Sequence, residues 1–267
     1  HASGYGARGL YLTTGVNSSG INVINNLIYN IQGTSDALST YWVMGLCIDG
    51  ATGGVNAYYN TVNLYGTYAG KAVATISSAF CVLNSGANTI DIRDNIFVNT
   101  YDNTAGTGDK SFAIYSAAIN TAFTNINYND YYVSGAPAVF GSIYESAVQT
   151  DKTTLAAWKT ATGRDAYSVS GDPGFTSNTN LLPNNTTENS WNVFGKGVQI
   201  AGISTDYAGT TRSTTVAGGP TCIGAYEFTT PSVVPPVAAQ TNAPGSGVTS
   251  QYTGSGRPIL DVTWGAT

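Results

Sequence analysis

Charge is scarce in this chain. Of its 267 residues, 10 are Lys or Arg and 15 are Asp or Glu, 9% in all with a net charge of -5, where an ordinary soluble domain carries about a quarter charged residues. No run of cations is present to grip a phosphate backbone or an anionic bilayer, so nucleic acid is set aside as a partner. Histidine occurs once, at His1, and the three cysteines, Cys47, Cys81 and Cys222, lack metal-ligand spacing. Zinc chemistry and histidine-based triads are thereby excluded. An N-terminal histidine can enter a copper site, but such a site needs a second histidine, which the sequence lacks. No apolar run approaches the roughly 18 to 20 residues that cross a bilayer, so no membrane insertion is expected. The opening residues, His1 to Gly6, are neither a start methionine nor a signal peptide and read as a cut or processed start. With one methionine and few strong helix formers beside 18 tyrosines and 32 glycines, pleated layers and turns are favoured over helix bundles. The expectation is an all-β protein.

What the chain does contain is a repeat. Ile21 to Ile28, Val55 to Val62, Ile90 to Phe97 and Thr124 to Tyr131 align, and each carries an asparagine at the same place: Asn26, Asn60, Asn95 and Asn129, at intervals of 34, 35 and 34 residues. A second column, Leu10, Leu46, Phe80 and Ile114, keeps step with it. Alternation within these segments places Leu10, Leu46, Phe80 and Ile114 inward, with Val23, Ala57, Ile92 and Ile126 in another inward row and Ile28, Val62, Phe97 and Tyr131 in a third. Several short strands per period of about 34 residues, without a helical pattern, predict about four coils whose strands pair in parallel, about 4.8 Å apart along the axis. Asparagine suits the bend because it tolerates the left-handed backbone and its amide can bond the next amide in the stack. The polar, Gly-rich stretches at Gln32 to Tyr41, Gly66 to Lys71 and Thr100 to Lys110 read as projecting loops.

On segments such as Ile90-Asp91-Ile92-Arg93-Asp94-Asn95-Ile96-Phe97, the chain resembles right-handed parallel β-helix proteins of the pectate-lyase-like superfamily, over roughly residues 6 to 228. The downstream order Tyr128-Asn129-Asp130-Tyr131-Tyr132, Leu155-Ala156-Ala157-Trp158, Asp165-Ala166-Tyr167-Ser168, Asp172-Pro173-Gly174-Phe175 and Ile223-Gly224-Ala225-Tyr226-Glu227-Phe228 is similar to large secreted surface proteins of Bacteroidetes. The resemblance implies a right-handed β-helix over 1–149, a C-terminal cap over 150–228 with one short helix, and a secreted or cell-surface location. Asp151 is the expected helix N-cap and Gly163 the stop, with the helix folding over the open end and irregular strands completing the cap. Glu227 pairing with Arg212 reads as a structural lock. Residues 229–267 read as a Pro-rich linker, with Pro258 to Trp264 the start of a fibronectin type III-like module. Flanking domains of the same polypeptide are thus expected partners.

Chemistry is sparse. β-Helix enzymes acting on acidic polysaccharides carry paired carboxylates, or calcium-binding aspartates with a cation, on an outer face. Here Asp91, Arg93 and Asp94 form the best local group. The positions stacked on Asp91 are Asn22, Asn56 and Asn125, so no second carboxylate joins that column, and a solvated ion pair explains the group as well as catalysis does. Asp102 and Asp109 bracket a Gly-rich loop where a structural calcium ion would find carboxylates and carbonyls; loop polarity accounts for them and for Asp130 equally, and no other cofactor is expected. Tyr58, Tyr59 and Tyr128, with Asn56 and Asn127 nearby, are the candidate ligand contacts, because sugar rings stack on aromatic faces while amides bond hydroxyls. Tyr11, Cys47, Cys81 and Tyr115 form another outward column, in which Cys47 and Cys81 are either a disulfide or two thiols. The expected function is a noncatalytic stalk, adhesin or glycan-binding surface whose partner is an extracellular glycan, with a polysaccharide lyase or glycoside hydrolase as the alternative.

Overall fold

The computed structural model describes residues 6–33, 42–68, 74–103, 108–213, 221–235, 249–253 and 257–261. The chain forms two compact units, His1–Val234 and Pro235–Thr267.

In the first unit the repeat becomes rungs of three strands. The first rung is β1 (Ala7–Leu12), β2 (Ile21–Ile24) and β3 (Leu27–Tyr29); the second is β4 (Val43–Ile48), β5 (Gly53–Tyr58) and β6 (Thr61–Tyr68). The third is β7 (Ile76–Val82), β8 (Asn88–Arg93) and β9 (Ile96–Asn103), and the fourth β10 (Lys110–Ser116), β11 (Phe123–Asn127) and β12 (Asp130–Val133). Corresponding strands stack in parallel into three sheets, β1-β4-β7-β10, β2-β5-β8-β11 and β3-β6-β9-β12. This is a parallel β-solenoid of about three turns at roughly 34 residues per turn, slightly shorter than the four coils counted from the repeats, because four rungs are joined by three steps.

Register places like on like. Leu10, Leu46, Phe80 and Ile114 are successive partners, as are Val23, Ala57, Ile92 and Ile126. Both rows, with Ile28, Val62, Phe97 and Tyr131, lie in one apolar core. Phe80 stacks on Phe97 at 5.1 Å between ring centroids and Phe97 on Tyr131 at 5.8 Å, a geometry worth more than the buried area alone.

Each rung turns between its second and third strand at the asparagine. Asn26 Nδ2 donates to Asn60 Oδ1 (2.8 Å), Asn60 Nδ2 to Asn95 Oδ1 (2.8 Å) and Asn95 Nδ2 to Asn129 Oδ1 (3.0 Å). The same oxygens accept the backbone N–H of Asn26, Asn60 and Asn95, and the backbone N–H of Asn129 donates to Ser168 Oγ (2.9 Å), which closes the series. The left-handed residue is not the ladder asparagine but its predecessor: Asn25, Tyr59, Asp94 and Tyr128 have φ between 54° and 59°. The amide must point into the stack, so the preceding residue takes the sharp turn and its side chain points away from the core.

The end of the stack is closed by three pieces. β13 (Ala138–Glu145) adds in parallel to β10, and β14 (Val148–Lys152) pairs antiparallel with β13. A helix, α1 (Leu155–Thr162), then sets Trp158, wholly buried, against Phe140 at the end of the core. Its N-cap is Thr154, whose Oγ1 accepts the Ala157 N–H (3.1 Å). The expected cap, Asp151, lies in β14 and pairs with Lys110 instead. Gly163 ends the helix in the left-handed conformation with φ 64°, as glycine does at this position.

Residues 165–213 and 221–228 hold no regular strands. They form a strap that returns along the outside of the stack: Gly171 N–H bonds Asp130 of the fourth rung, Val198 N–H bonds Asp94 of the third, Ala225 N–H bonds Thr61 of the second, and Asn25 of the first bonds Thr205 O. Ile96 and Val98, on the outer face of the third sheet, are buried with Val193 and Ile223 of the strap. The expected irregular strands of the cap are thus replaced by turns and a short 3-10 helix, Glu188–Asn192.

In the second unit, β15 (Thr249–Thr253) and β16 (Arg257–Asp261) pair antiparallel. Most of the Pro-rich segment, and Trp264, lie outside the described residues.

Candidate functional site

The solenoid offers three outer faces, and two are covered. The strap buries the outer face of the third sheet. On the first sheet Cys47 and Cys81 are register partners, but both are fully buried with Trp42 and Met44, and both are free thiols. Burial, with the neighbouring Cys47, pushes the Cys81 thiol well above its ordinary value, so the column holds no disulfide and Cys81 no reactive thiolate. Tyr115 packs edge-on against Trp42 at 5.1 Å. The expected open column of Tyr11, Cys47, Cys81 and Tyr115 is therefore mostly interior, with Tyr11 alone exposed.

The outer face of the second sheet is open in part, since Ile200 and Ile203 of the strap pack on Ile24 and Tyr58 at its edge. Pleating puts alternate residues outward, so Asn22, Asn56, Asp91 and Asn125 stack as one column and Ile24, Tyr58, Arg93 and Asn127 as the next. Asn56 Nδ2 donates to Asn22 Oδ1 (3.0 Å). Arg93 grips Asp91 with two bonds, Nε to Oδ1 (2.8 Å) and Nη2 to Oδ2 (2.7 Å), and the Tyr58 hydroxyl donates to Asp91 Oδ2 (2.8 Å). The Arg93 guanidinium also lies 5.0 Å from the centre of the Tyr58 ring. These three residues form a closed, self-neutralising group, in which the hydrogen bond to Asp91 holds the Arg93 pKa still higher than usual.

Several expectations are corrected here. Asp94 does not join Asp91 and Arg93. It is fully buried beneath the strap, its Oδ1 accepting the Val198 N–H (2.7 Å) and its Oδ2 unbonded, and burial pushes its pKa up to about 8. Tyr58 is 8% exposed and Tyr59 fully buried. Both pack on Ile200 of the strap. The Tyr59 hydroxyl donates to Val198 O (2.6 Å) and its ring lies under Arg212, whose guanidinium carbon is 3.7 Å from the centroid. A left-handed bend turns its residue out of the core, and the strap then covers it. Asp102 and Asp109 each serve a backbone neighbour: Asp102 Oδ1 accepts the Ala136 N–H (2.8 Å), and buried Asp109 accepts the N–H (2.8 Å) and hydroxyl (3.0 Å) of Thr75. No group of three or more metal-ligating side chains exists among the described residues. Arg212 sits 3.6 Å from Glu227, and also donates to Asn25 Oδ1 (2.8 Å) and Gly224 O (3.0 Å).

Tyr128 is half-buried and stacks face to face on Tyr167, with centroids 5.1 Å apart and planes 15° from parallel. Tyr167 is 65% exposed, the most open of the large apolar side chains described. Asn127 Oδ1 accepts the backbone N–H of both Tyr128 (3.0 Å) and Tyr167 (2.8 Å), so the expected contact Asn127 positions the rings by its carbonyl. Tyr167 was not among the sequence-derived contacts. The helix inserted after the fourth rung hides its place, but Ser168 at the ladder's end marks Tyr167 as the fifth residue of the outer bend column.

The site is thus a slab of two parallel rings at the end of a face lined by Asn22, Asn56, Asn125 and Asn127, with its one ion pair internally satisfied. No protein-family model, curated protein or solved structure matches the chain.

Proposed function

We propose that this chain is a noncatalytic glycan-binding module of a secreted or cell-surface protein, related to the pectate-lyase-like β-helix superfamily, as its repeat and cap motifs suggest. The observation that carries the reading is the Tyr128–Tyr167 slab beside Asn127 and a column of three asparagines, Asn22, Asn56 and Asn125, interrupted by Asp91. Aromatic faces take the C–H faces of sugar rings and amides bond the hydroxyls, while scattered polar surface offers no such pairing. The enzymatic reading is weaker, because Asp91 is saturated by Arg93 and Tyr58 and Asp94 faces the strap. A general acid and base need two free groups.

A glycan array followed by titration calorimetry tests this. Binding of at least one polysaccharide is expected, with Tyr167→Ala weakening it about five- to tenfold, since losing one stacked ring costs about 1–1.5 kcal/mol. New reducing ends or unsaturated sugars released by the wild type and abolished in Asp91→Ala would replace this reading with the enzymatic one.

A further inference from the structure

We propose that the strap carries a second saccharide site, in the cleft that residues 182–185 form with residues 206–210 and 226–229, and that this site takes a ring or two of a neutral glycan. The cleft has a volume of about 350 Å³, within the range of small-ligand pockets. Tyr226 forms one wall, held edge-on by Tyr207 at 5.5 Å, and Leu182 and Phe228 add apolar surface. Asn184, Asn185 and Thr210 line the same space; Asn184 Oδ1 accepts from the Thr186 N–H (3.0 Å) and hydroxyl (2.7 Å) and Asn185 Nδ2 donates to Thr229 Oγ1 (3.0 Å), so the Asn184 amide nitrogen, the Asn185 amide oxygen and the Thr210 hydroxyl are the groups offered to a ligand.

The charges decide the ligand class. Two carboxylates line the cleft, but both are occupied by the strap's own groups. Asp206 Oδ1 accepts the N–H of Ala208 (2.8 Å) and Thr210 (2.7 Å), and its Oδ2 accepts the N–H of Glu227 (2.8 Å). Glu227 Oε2 accepts the Thr221 hydroxyl (2.6 Å) and the Cys222 N–H (3.1 Å), with Arg212 at 3.6 Å. Arg212 itself is 1% exposed, packed over the Tyr59 ring, and no Lys or Arg lines the cleft. An acidic sugar finds no cation here, and a cationic ligand finds Asp206 bonded through both oxygens and Glu227 bonded through Oε2 beside Arg212. What is left over, a ring face with amides and a hydroxyl, matches an uncharged polyol. The cleft lies beside the first two rungs, where Thr205 meets Asn25 and Ala225 meets Thr61. Tyr167 meets the fourth. The two sites are therefore independent, and a long glycan spanning both would gain from the second contact as an intramolecular event.

The test is titration calorimetry of the full chain with cellohexaose, xylohexaose and mannohexaose, with hexagalacturonate as the acidic comparison. The wild type is expected to bind at least one neutral hexamer at two sites. Tyr226→Ala should lose one of them, and Ala208→Trp, which fills the cleft from an exposed position and spares Tyr226, should do the same if the first variant fails to fold. Tyr167→Ala should lose the other. If Ala208→Trp and Tyr226→Ala both titrate as wild type while Tyr167→Ala loses all binding, the cleft is not a site and the slab is. Loss in the cleft variants alone supports the cleft and overturns the slab. If no neutral hexamer binds, or hexagalacturonate occupies the cleft more tightly, the inference fails.

Discussion

At the scale of single residues, the ladder amides and Asp94 set the largest consequences. Asn95 is fully buried, its Oδ1 serving the N–H of Asn60 and its Nδ2 serving Ala57 O and Arg93 O. Asn95→Ala removes these bonds where no water reaches, and although Arg93 O keeps the Tyr59 N–H, leaving the other two groups unpaired at about 1–3 kcal/mol each gives an expected loss of roughly 2–6 kcal/mol in denaturant unfolding. Asn26 is exposed and accepts nothing from a buried donor; Asn26→Ala should cost under about 1 kcal/mol. Equal losses at the two positions would show that the ladder does not act through burial. Asp94 predicts a pH dependence of definite sign. Its carboxyl titrates near 3.8 when unfolded and near 8 in the fold, so the folded chain holds the proton longer. The stability it lends is full below about pH 4 and is lost as pH rises to 8. Arg212 and Arg93 oppose the shift, and Asp91 adds to it; Asp165, pushed up to about 6 chiefly by burial, has the same sign. Thermal melts should show the strap held most firmly in acid, and Asp94→Asn, which keeps the left-handed bend and the Val198 bond, should flatten the profile between pH 5 and 8. An unchanged slope would sink this assignment. The ladder amides were legible in the sequence because the same side chain recurs at each step; the fate of Asp94 was not, because its partner Val198 lies 104 residues away.

At the scale of elements, α1 and the strap divide the work of closing the stack. Trp158 contacts the terminal aromatic Phe140 and its indole N–H donates to Asp165 Oδ2 (2.8 Å). Trp158→Ala should cost about 3–5 kcal/mol by opening a cavity at the core's end, while Trp158→Phe keeps most of the packing and frees one buried carboxylate oxygen. Gly163→Ala is expected to cost about 1 kcal/mol, since its φ of 64° suits only glycine well. Chemical denaturation of the three variants measures this ranking, and a Gly163→Ala loss exceeding that of Trp158→Ala would overturn it. Inward rows and the short helix were readable from periodicity and composition, because burial alternates along a strand whatever the neighbours. The strap was not: it has no period, and it is held by contacts such as Tyr59 with Val198 and Arg212 with Asn25, 139 and 187 residues apart. A sequence pattern marks where a side chain leaves the core, as at Tyr58 and Tyr59. It cannot mark which later segment covers it.

At the scale of the whole molecule, scarcity of charge becomes a property of the binding surface. The exposed face is built from uncharged amides and phenols, its one ion pair joins Asp91 to Arg93 within the same strand, and the chain carries only 10 cations in all. Recognition by stacking and neutral hydrogen bonds involves no counterion release and no long-range steering. The affinity for a neutral oligosaccharide should therefore change less than about twofold between 50 and 500 mM NaCl, an interval over which the Debye length falls about threefold. A surface built to hold an acidic polysaccharide would lose affinity steeply over the same interval, because each paired charge is screened. Titration of one neutral and one acidic hexamer at both salt concentrations separates these outcomes. A steep salt slope for the tighter ligand would mean that Arg93 leaves Asp91 to meet a carboxylate, and the account of this face as charge-neutral would have to be given up.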